Sequence, residues 1–465
     1  MKRDKLRQNH VVRRGMRLSV IDGIYARIYA GLCMIGSGFV TKFMLLLGAS
    51  PLHFSLLSAL GQVATLSEPL GVAFTHRLPR RKWACVWITA AGRLLTMFLG
   101  AALFFTLKEA GIWFALTLLF LAASLQAVGG NIWIAWMSDL IPLKIRGRFF
   151  SRRNQILLLA GMVVSYVVSI YVDMFESTGG FLRRVLIESV GLGKWFVPQN
   201  QATFLAWMFV GATLIGLYGL TILAKQPERP LKKVAKGRLR DEYSQPFTDA
   251  NFRRLLVFGI WWMLATGVGS AFWGPFMLKN LGMGMFRMQI YSTLHGVASL
   301  FSWLYWGKFV DRFGNKTTMT ICIILGGLNP MFWLFVSPAN YNILWLEAVI
   351  SGTMWAGNAL VTTNFVLSVA PQGKQQIYSG LYNAVAGVSM MCSTLLSGIF
   401  FPAPLDILGK HLQSEQVVFG IGGLLRWSTL IPLVFVVEKN HVPLRDALAS
   451  SLRYFWEYWQ TKFKR

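Results

Sequence analysis

The stretch NIWIAWMSDLIPLKIRGRFFSRRN, residues 131–154, decides the fold. An apolar, tryptophan-rich segment runs into Asp139, and a proline follows at Pro142. Basic residues then crowd the turn, and another long apolar segment begins directly after them. Because charges at this density are costly in hydrocarbon, the stretch predicts a tight turn between two membrane-spanning helices. The excess of Lys and Arg places this turn in the cytoplasm.

The composition of the whole chain agrees with a membrane protein. Of its 465 residues 54% are hydrophobic and 14% are charged, and the mean hydropathy is +0.49. A soluble domain carries roughly 25% charged residues. The net charge of +27 does not indicate a nucleic acid partner, because most of the 46 Lys and Arg fall in predicted loops on one side. That distribution favours a bilayer with anionic headgroups as the partner.

The long apolar runs predict about twelve spans, each near the ~20 residues that cross a bilayer. An even number of spans places both termini in the cytoplasm. The spans are 22–47, 52–75, 83–107, 111–138, 150–172 and 203–224, followed by 255–279, 287–310, 317–337, 342–370, 376–401 and 415–437.

These spans divide the chain into five parts. A basic tail at 1–21 precedes an N-terminal six-helix half at 22–224. A polar cytoplasmic linker at 225–254 leads to a C-terminal six-helix half at 255–437. The tail at 438–465 mixes aromatic and basic residues, which is typical of a helix lying on the inner leaflet.

The two halves are predicted to be repeats of each other. Pro142 and Asn154 match Pro371 and Asn383 at one constant offset. The sequence Phe-Met-Leu before Gly48 recurs before Gly282. Parallel six-helix repeats are a known transporter architecture, so the predicted fold is all-α, with two pseudo-symmetric halves.

Two motifs resemble those of the major facilitator superfamily. Asp139-Leu-Ile-Pro142-Leu-Lys-Ile-Arg146-Gly147 resembles the acidic-x-x-Pro-x-x-x-Arg-Gly turn after the fourth helix, best known in sugar porters, with Asp in place of Glu. Gly307-Lys-Phe-Val-Asp311-Arg312-Phe-Gly314-Asn-Lys316 is similar to the family's Gly-x-x-x-Asp-Arg-x-Gly-x-Lys/Arg motif. The copy expected at 71–81 departs from this motif, since its Asp is replaced by Thr75 or His76.

The resemblance implies a transporter whose halves rock about a central site, and it implies a gate at the cytoplasmic turns. A carboxylate at a helix end beside arginines can form a charge-assisted pair that exists in one conformation only. The alternative is that these charges only mark topology and anchor to headgroups. The gating candidates are Asp139, Arg146, Arg148, Gly307, Asp311 and Arg312.

Ionisable residues inside the predicted spans are a second group of candidates. Arg27, Glu68 and Arg93 fall at one depth in the first half and predict an ion-pair network, which either staples helices or leaves a positive charge for an anionic substrate. Lys42 is placed to snorkel, and Arg426 has no acid at a matching depth. The coupling or ion-pair candidates are Glu68, Arg93, Glu347 and His295.

Polar and aromatic residues recur at helical spacing in spans seven and ten. Steps of three and four keep such residues on one helical face, which in lipid must turn toward other helices or a wet cavity. The alternative for the tryptophans is ordinary packing or the aromatic belt. The substrate-path candidates are Arg27, Gln126, Asn131, Trp133, Trp262, Thr266, Ser270, Ser351, Trp355, Asn358 and Thr362.

The leading prediction is a secondary transporter of a small organic solute, working by alternating access and coupled to protons or sodium. The alternatives are a proton-coupled drug exporter and a non-transporting structural or sensing protein of the same fold. The chain has no Walker loop, nucleophile elbow or Cys/His cluster, so we expect no enzyme activity, cofactor or metal site. We expect a monomer in a bacterial inner membrane.

Overall fold

The computed structural model describes residues 2–67, 81–176, 183, 185, 187, 193, 195–228, 245–371, 374–407, 409–438, 442–447 and 449–450. Every one of the predicted spans has a helix in this part of the chain, so the all-α prediction is confirmed. Eight of the described helical segments are long and apolar enough to cross a membrane. The chain divides into two compact units, Met1–Ala235 with Ala271–Gln289 and Lys236–Ser270 with Ile290–Arg465.

The first unit is a bundle of long helices. They are α1 Lys2–Cys33, α2 Gly38–Leu46, α3 Pro51–Thr65, α4 Arg81–Met97, α5 Lys108–Leu140, α6 Leu143–Asp173 and α7 Gln201–Leu223. Small residues let these helices approach closely, as is common in membranes. A Cβ atom added at Gly219 in α7 would lie 2.7 Å from Cβ of Tyr25 in α1, so the α1–α7 contact requires glycine there.

The helices that follow the linker are α8 Ala250–Gly267, α9 Trp273–Pro275, α10 Met285–Phe313, α11 Asn315–Phe332, α12 Ile343–Val369, α13 Gln375–Ile399, α14 Ser414–Ser428 and α15 Leu430–Val434. A π-helical turn, Phe276–Asn280, follows α9. A short antiparallel hairpin, β1 Leu405–Ile407 with β2 Lys410–Leu412, precedes α14. Close approach again depends on glycine, because a Cβ atom at Gly326 in α11 would lie 2.9 Å from the ring of Trp262 in α8.

Two predicted spans are interrupted, and the interruptions repeat. The first span is divided at Gly36, with φ +89°, and the seventh at Gly269, with φ +79°. Each segment that follows ends at a further glycine in the left-handed region, Gly48 or Gly282. Other residues are strained in this conformation, so the glycines set the breaks. The repeat seen in the sequence therefore extends to the backbone.

The break in the seventh span corrects one sequence prediction. Trp262, Thr266 and Ser270 were expected to share one continuous helical face. Because α8 ends at Gly267, Ser270 lies outside the helix, and its hydroxyl is 3.0 Å from Oγ1 of Thr394. The face formed by α8 therefore ends at Thr266.

The prediction that Lys42 snorkels is wrong. Lys42 is buried and forms an ion pair with Glu176, just after α6. Gln201, at the start of α7, donates to Oε1 of the same carboxylate at 3.1 Å and to the carbonyl of Val172 at 3.1 Å. A buried cation needs a partner, so this cluster ties together α2, α6 and α7.

Two further sequence predictions lie mainly outside the described residues. They are the core of the linker, residues 229–244, and the amphipathic tail from residue 451 onward. The predicted domain boundaries stay predictions.

Candidate functional site

An ion pair joins two helices at the end of the first unit where α5 ends and α4 begins. Nη2 of Arg81 donates to Oδ2 of Asp139 at 2.5 Å. The arginine side chain is 4% exposed and the aspartate side chain is 50% exposed. The carboxylate of Glu228, which follows α7, accepts hydrogen bonds from the backbone N–H groups of Arg81 at 2.6 Å and Lys82 at 3.2 Å. The three helix ends are therefore held together by two carboxylates.

The pairing differs from the one that the turn motif suggested. The guanidinium of Arg146 donates to the carbonyl of Ser138, and at 3.3 Å to that of Ile141, so it caps the last turn of α5. This happens because α6 begins at Leu143, immediately after Pro142, and the Arg146 side chain folds back over the end of α5. Arg148 is exposed. Of the copy at 71–81, only Arg81 is described.

The second unit repeats the capping carboxylate. Glu438, after α15, accepts from the backbone N–H groups of Asn315 at 2.9 Å and Lys316 at 2.7 Å, at the start of α11. A carboxylate at a helix N-terminus is favourable because the N–H groups there lack helical partners. Glu228, which caps the start of α4, and Glu438, which caps the start of α11, are thus equivalent.

The remaining gating candidates lie near the end of α10. Asp311 is exposed, and the guanidinium of Arg312 lies 5.2 Å from the ring centre of Phe313. A Cβ atom added at Gly307 would meet open space. Gly314, with φ +90°, ends the helix and lets α11 begin at once.

A buried cluster of three charges lies in the first unit. Asp22 on α1 interacts electrostatically with Arg93 on α4 and Arg153 on α6, and all three residues are less than 9% exposed. Arg93 also donates to the carbonyl of Gly216 in α7. Arg153 donates through Nε to the carbonyl of Ser19 at 3.1 Å, and its guanidinium lies 4.5 Å from the ring centre of Trp133.

The predicted network around Glu68 stays a prediction, because Glu68 lies outside the described residues. Among the described residues, the carboxylate that interacts electrostatically with Arg93 is Asp22. Arg27 is exposed, and its side chain runs over Gly161 in α6, where an added Cβ atom would lie 3.0 Å from Cγ of Arg27.

A second buried cluster lies in the second unit. The hydroxyl of Tyr291 on α10 donates to Oε2 of Glu347 on α12 at 2.6 Å. Arg426 on α14 donates to the carbonyl of Gly326 at 3.1 Å and interacts electrostatically with Glu347. Glu347 is 1% exposed and Arg426 is 3% exposed. The prediction that Arg426 lacks an acid at its depth is wrong. That prediction estimated the depth of each residue by counting from the predicted helix ends, which assumes that all helices start at the same level in the membrane.

The candidate path residues of the second unit lie mostly inside the bundle. Trp262 is fully buried, and its ring centre lies 6.3 Å from that of the half-buried Trp355. Ser351 and Asn358 are buried, and Nδ2 of Asn358 lies 3.5 Å from Sδ of Met319. The hydroxyl of Thr266 donates to the carbonyl of Met263 within α8. His295 is half-buried, and Gly352 packs against its backbone carbonyl.

Three candidate path residues are among the buried residues that have a polar atom without a partner in the described part of the chain. Nε1 of Trp133, Nε1 of Trp262 and Oγ1 of Thr362 are buried polar atoms without a hydrogen-bond partner among the described residues. Most buried polar atoms in proteins have a partner, so each unpaired atom calls for an explanation. Gln126 differs, since Nε2 donates to the carbonyl of Thr89 at 2.9 Å, and Asn131 is half-buried.

Sequence reasoning missed Asp22, Arg153 and Tyr291. Asp22 and Arg153 stand at the boundaries of predicted spans, so both were counted with the loops. A signal was present for Asp22, which is the first acid after a long basic segment and stands among apolar residues. Tyr291 carries no charge, and no pattern in the sequence marks it.

A family model and several solved structures resemble this chain. The model of the Major Facilitator Superfamily matches residues 24–394. No curated protein matches the chain. Among solved structures, a variant of the nucleoside transporter NupG superposes with a TM-score of 0.67 at 12% identity, covering 91% of this chain and 100% of that one.

Two sugar transporters also resemble the chain in fold. A D-xylose-proton symporter gives a TM-score of 0.60 at 15% identity and covers 94% of this chain and 99% of its own. The inward-open xylose transporter XylE from E. coli gives 0.57 at 14% identity, with coverages of 95% and 98%. At these identities the likeness concerns the fold.

We predict that the charges of the second-unit cluster depend on one another. Glu347→Gln or Arg426→Met alone should each cost about 3–5 kcal/mol, because each leaves a buried charge uncompensated. The double variant should lose clearly less than the sum of the two single losses. Unfolding in detergent, followed by intrinsic fluorescence during heating, measures these effects.

The matched control is Asp406→Asn. Asp406 forms an exposed pair with His411 in the hairpin, and exposed pairs contribute about 0–1 kcal/mol. Losses for the double variant that equal the sum of the single losses would show that Glu347 and Arg426 do not compensate each other.

Proposed function

The chain belongs to the Major Facilitator Superfamily, and on that premise we propose that it is a secondary transporter that moves a small polar organic solute by alternating access. In this architecture the substrate site lies near the middle of the bilayer, on helices of both repeats. The path candidates lie on α1 and α5 in the first repeat and, in the second, on α8, just after α8 at Ser270, and on α12.

The observation that carries the proposal is that Nε1 of Trp262 and Oγ1 of Thr362, both in the second unit, are buried polar atoms without a hydrogen-bond partner among the described residues. An unpaired buried donor or acceptor costs about 1–3 kcal/mol. A solute with hydroxyl or carboxylate groups would offset that cost by bonding these atoms. Helices α8 and α12, which carry the path candidates of the second unit, are not among the eight described segments that are long and apolar enough to cross a membrane.

The side chains favour a particular kind of solute. The indoles of Trp262 and Trp355 offer flat apolar faces, which suit a sugar or nucleoside ring. The unpaired indole N–H groups are donors and suit an oxygen-rich solute. The fold shared with nucleoside and xylose transporters supports this choice.

We assign Glu347 as the candidate carrier of a coupling ion. It is a carboxylate inside a span, its partners are a phenol and a guanidinium, and intramembrane carboxylates of this kind mark ion pathways. A proton or a sodium ion could each neutralise it. We further propose that the chain works as a monomer in a bacterial inner membrane with both termini in the cytoplasm, which the excess of basic residues in the predicted cytoplasmic turns supports.

We assign the gate of the first unit to the Arg81–Asp139 pair. The pair is charge-assisted, and it joins the end of α5 to the start of α4. A conformational change that separates these helix ends would have to break it. The pair would therefore bias which side of the transporter is open.

Transport by the purified protein in proteoliposomes tests the proposal. Labelled pentoses, hexoses, nucleosides and small carboxylates are supplied with and without a proton or sodium gradient. We expect saturable uptake of one polar class above the level of empty liposomes. Transport confined to apolar cations would indicate a drug exporter, and no transport of any member would indicate a non-transporting protein of this fold.

Variants of the unpaired atoms refine the test. For the transported solute, Trp262→Phe or Thr362→Val should raise KM by roughly 2- to 10-fold, the effect of losing one neutral hydrogen bond. Trp261→Phe is the matched control, because the neighbouring indole is 43% exposed and bonds Ser428 at 2.9 Å. An unchanged KM in both variants would place the solute elsewhere.

A separate prediction concerns the gate. Asp139→Asn should lower the transport rate at least several-fold, since it removes a charge-assisted bond worth about 1.5–3 kcal/mol. Thermal stability should also fall, because the buried Arg81 loses its carboxylate, but the protein should stay folded because Glu228 still holds α4. The exchange Arg81→Asp with Asp139→Arg should restore part of the rate. Normal transport by Asp139→Asn would leave that residue with a topological role only.

A further inference from the structure

A pocket of about 380 Å³ opens between α1 and α6 in the first unit. Its wall contains four arginines, Arg17, Arg148, Arg152 and Arg153, and apolar side chains that include Phe149 and Ile156. None of the described residues that line it is acidic. None of the residues that line it is among the substrate-path candidates.

One of the four arginines that line the pocket is buried and held in place by its neighbours. Arg153 is 8% exposed and is held by the carbonyl of Ser19, the ring of Trp133 and the charge of Asp22. The other three, Arg17, Arg148 and Arg152, are exposed. Arg17, Arg148 and Arg152 therefore line the pocket as exposed cations beside the buried Arg153, and guanidinium groups attract an anion with several oxygen atoms.

The position of the pocket indicates an amphipathic ligand. It lies within the first turns of α6 and beside residues 16–20 of α1, where both helices enter their apolar segments. From the level of Arg152, an exposed apolar stripe continues along α6 through Leu159, Val163 and Val167, which are 62%, 63% and 48% exposed. Steps of seven and four residues keep these positions on the same helical face. Cations at the mouth and an apolar track beyond them match a phosphate group attached to an acyl chain.

We propose that this pocket binds an anionic phospholipid, with its phosphate among Arg17, Arg148 and Arg152 and an acyl chain along α6. Arginine binds phosphate oxygens in a bidentate manner, and basic pockets between membrane helices bind anionic headgroups. The shared chemistry is the phosphate group, which a soluble phosphate could also supply. The acyl chain distinguishes these two sources.

The test measures retained lipid on the detergent-purified protein by native mass spectrometry during titration with phosphatidylglycerol. The variant is Arg148→Gln with Arg152→Gln, and the matched control is Arg253→Gln with Arg254→Gln, two exposed arginines at the start of α8. We expect the affinity for phosphatidylglycerol to fall roughly 30-fold in the variant, at roughly five- to sixfold per arginine. The control should bind as the unchanged chain does.

Two further arms identify the source of the phosphate. Phosphatidylcholine should bind much more weakly than phosphatidylglycerol, and millimolar inorganic phosphate or glycerol phosphate should not displace the lipid. Equal competition by soluble phosphate would show that the acyl chain contributes nothing, and it would overturn the lipid proposal. An equal loss in variant and control would show only a general effect of net charge, and it would overturn the proposal too.

A second measurement covers the case in which the variant does not fold. Photoactivatable phosphatidylglycerol is added to the unchanged protein, and the cross-linked peptides are mapped. The proposal requires labelling of residues 11–33 of α1 and 143–173 of α6 above all other helices. Labelling spread evenly over the apolar surface would overturn it.

Discussion

The cost of placing charge inside hydrocarbon governs this structure. Each compact unit contains a buried carboxylate, Asp22 in the first and Glu347 in the second, and each carboxylate interacts electrostatically with a buried arginine of its own unit. A buried ion without a partner costs several kcal/mol, so the carboxylate and the arginine depend on each other. Helices that hold such a cluster are tied together, which suits a unit that moves as one body.

The two units satisfy this constraint with a similar contact between an arginine and a glycine carbonyl, but the arginine lies on non-equivalent helices. In the first unit Arg93 on α4 bonds the carbonyl of Gly216 on α7, and in the second Arg426 on α14 bonds the carbonyl of Gly326 on α11. Helices α4 and α11 are equivalent, since Glu228 and Glu438 cap them in the same way. The repeat has therefore kept the contact between arginine and glycine carbonyl while exchanging the helix that donates.

Much of the fold could be predicted because its signals are local. Apolar runs gave the spans, and the Phe-Met-Leu and glycine repeats indicated the equivalence of Gly48 and Gly282. The interruptions at Gly36 and Gly269 could not be read, because glycine is also common in uninterrupted membrane helices and only the folded backbone shows a positive φ. The helix break at Gly267 then removed Ser270 from the face on which it was predicted.

The charge partners could be predicted only in part. That Arg93 and Glu347 need partners follows from the sequence alone, since a lone charge in a span is costly. Which residue is the charge partner of each depends on the length of the side chains and on where each helix begins. Asp22 for Arg93, Arg426 for Glu347 and Arg81 for Asp139 therefore came from the structure.

The most direct test of this account measures whether charge is balanced within each unit. Unfolding in detergent is followed for Asp22→Asn, Arg93→Gln, Arg426→Gln and the two double variants that contain Asp22→Asn. The account predicts that Asp22→Asn with Arg93→Gln loses less stability than the sum of the single losses, because the two charges compensate each other. It predicts that Asp22→Asn with Arg426→Gln loses the sum within about 0.5 kcal/mol, as independent sites do. Coupling of Asp22 to Arg426 as strong as its coupling to Arg93 would contradict the account.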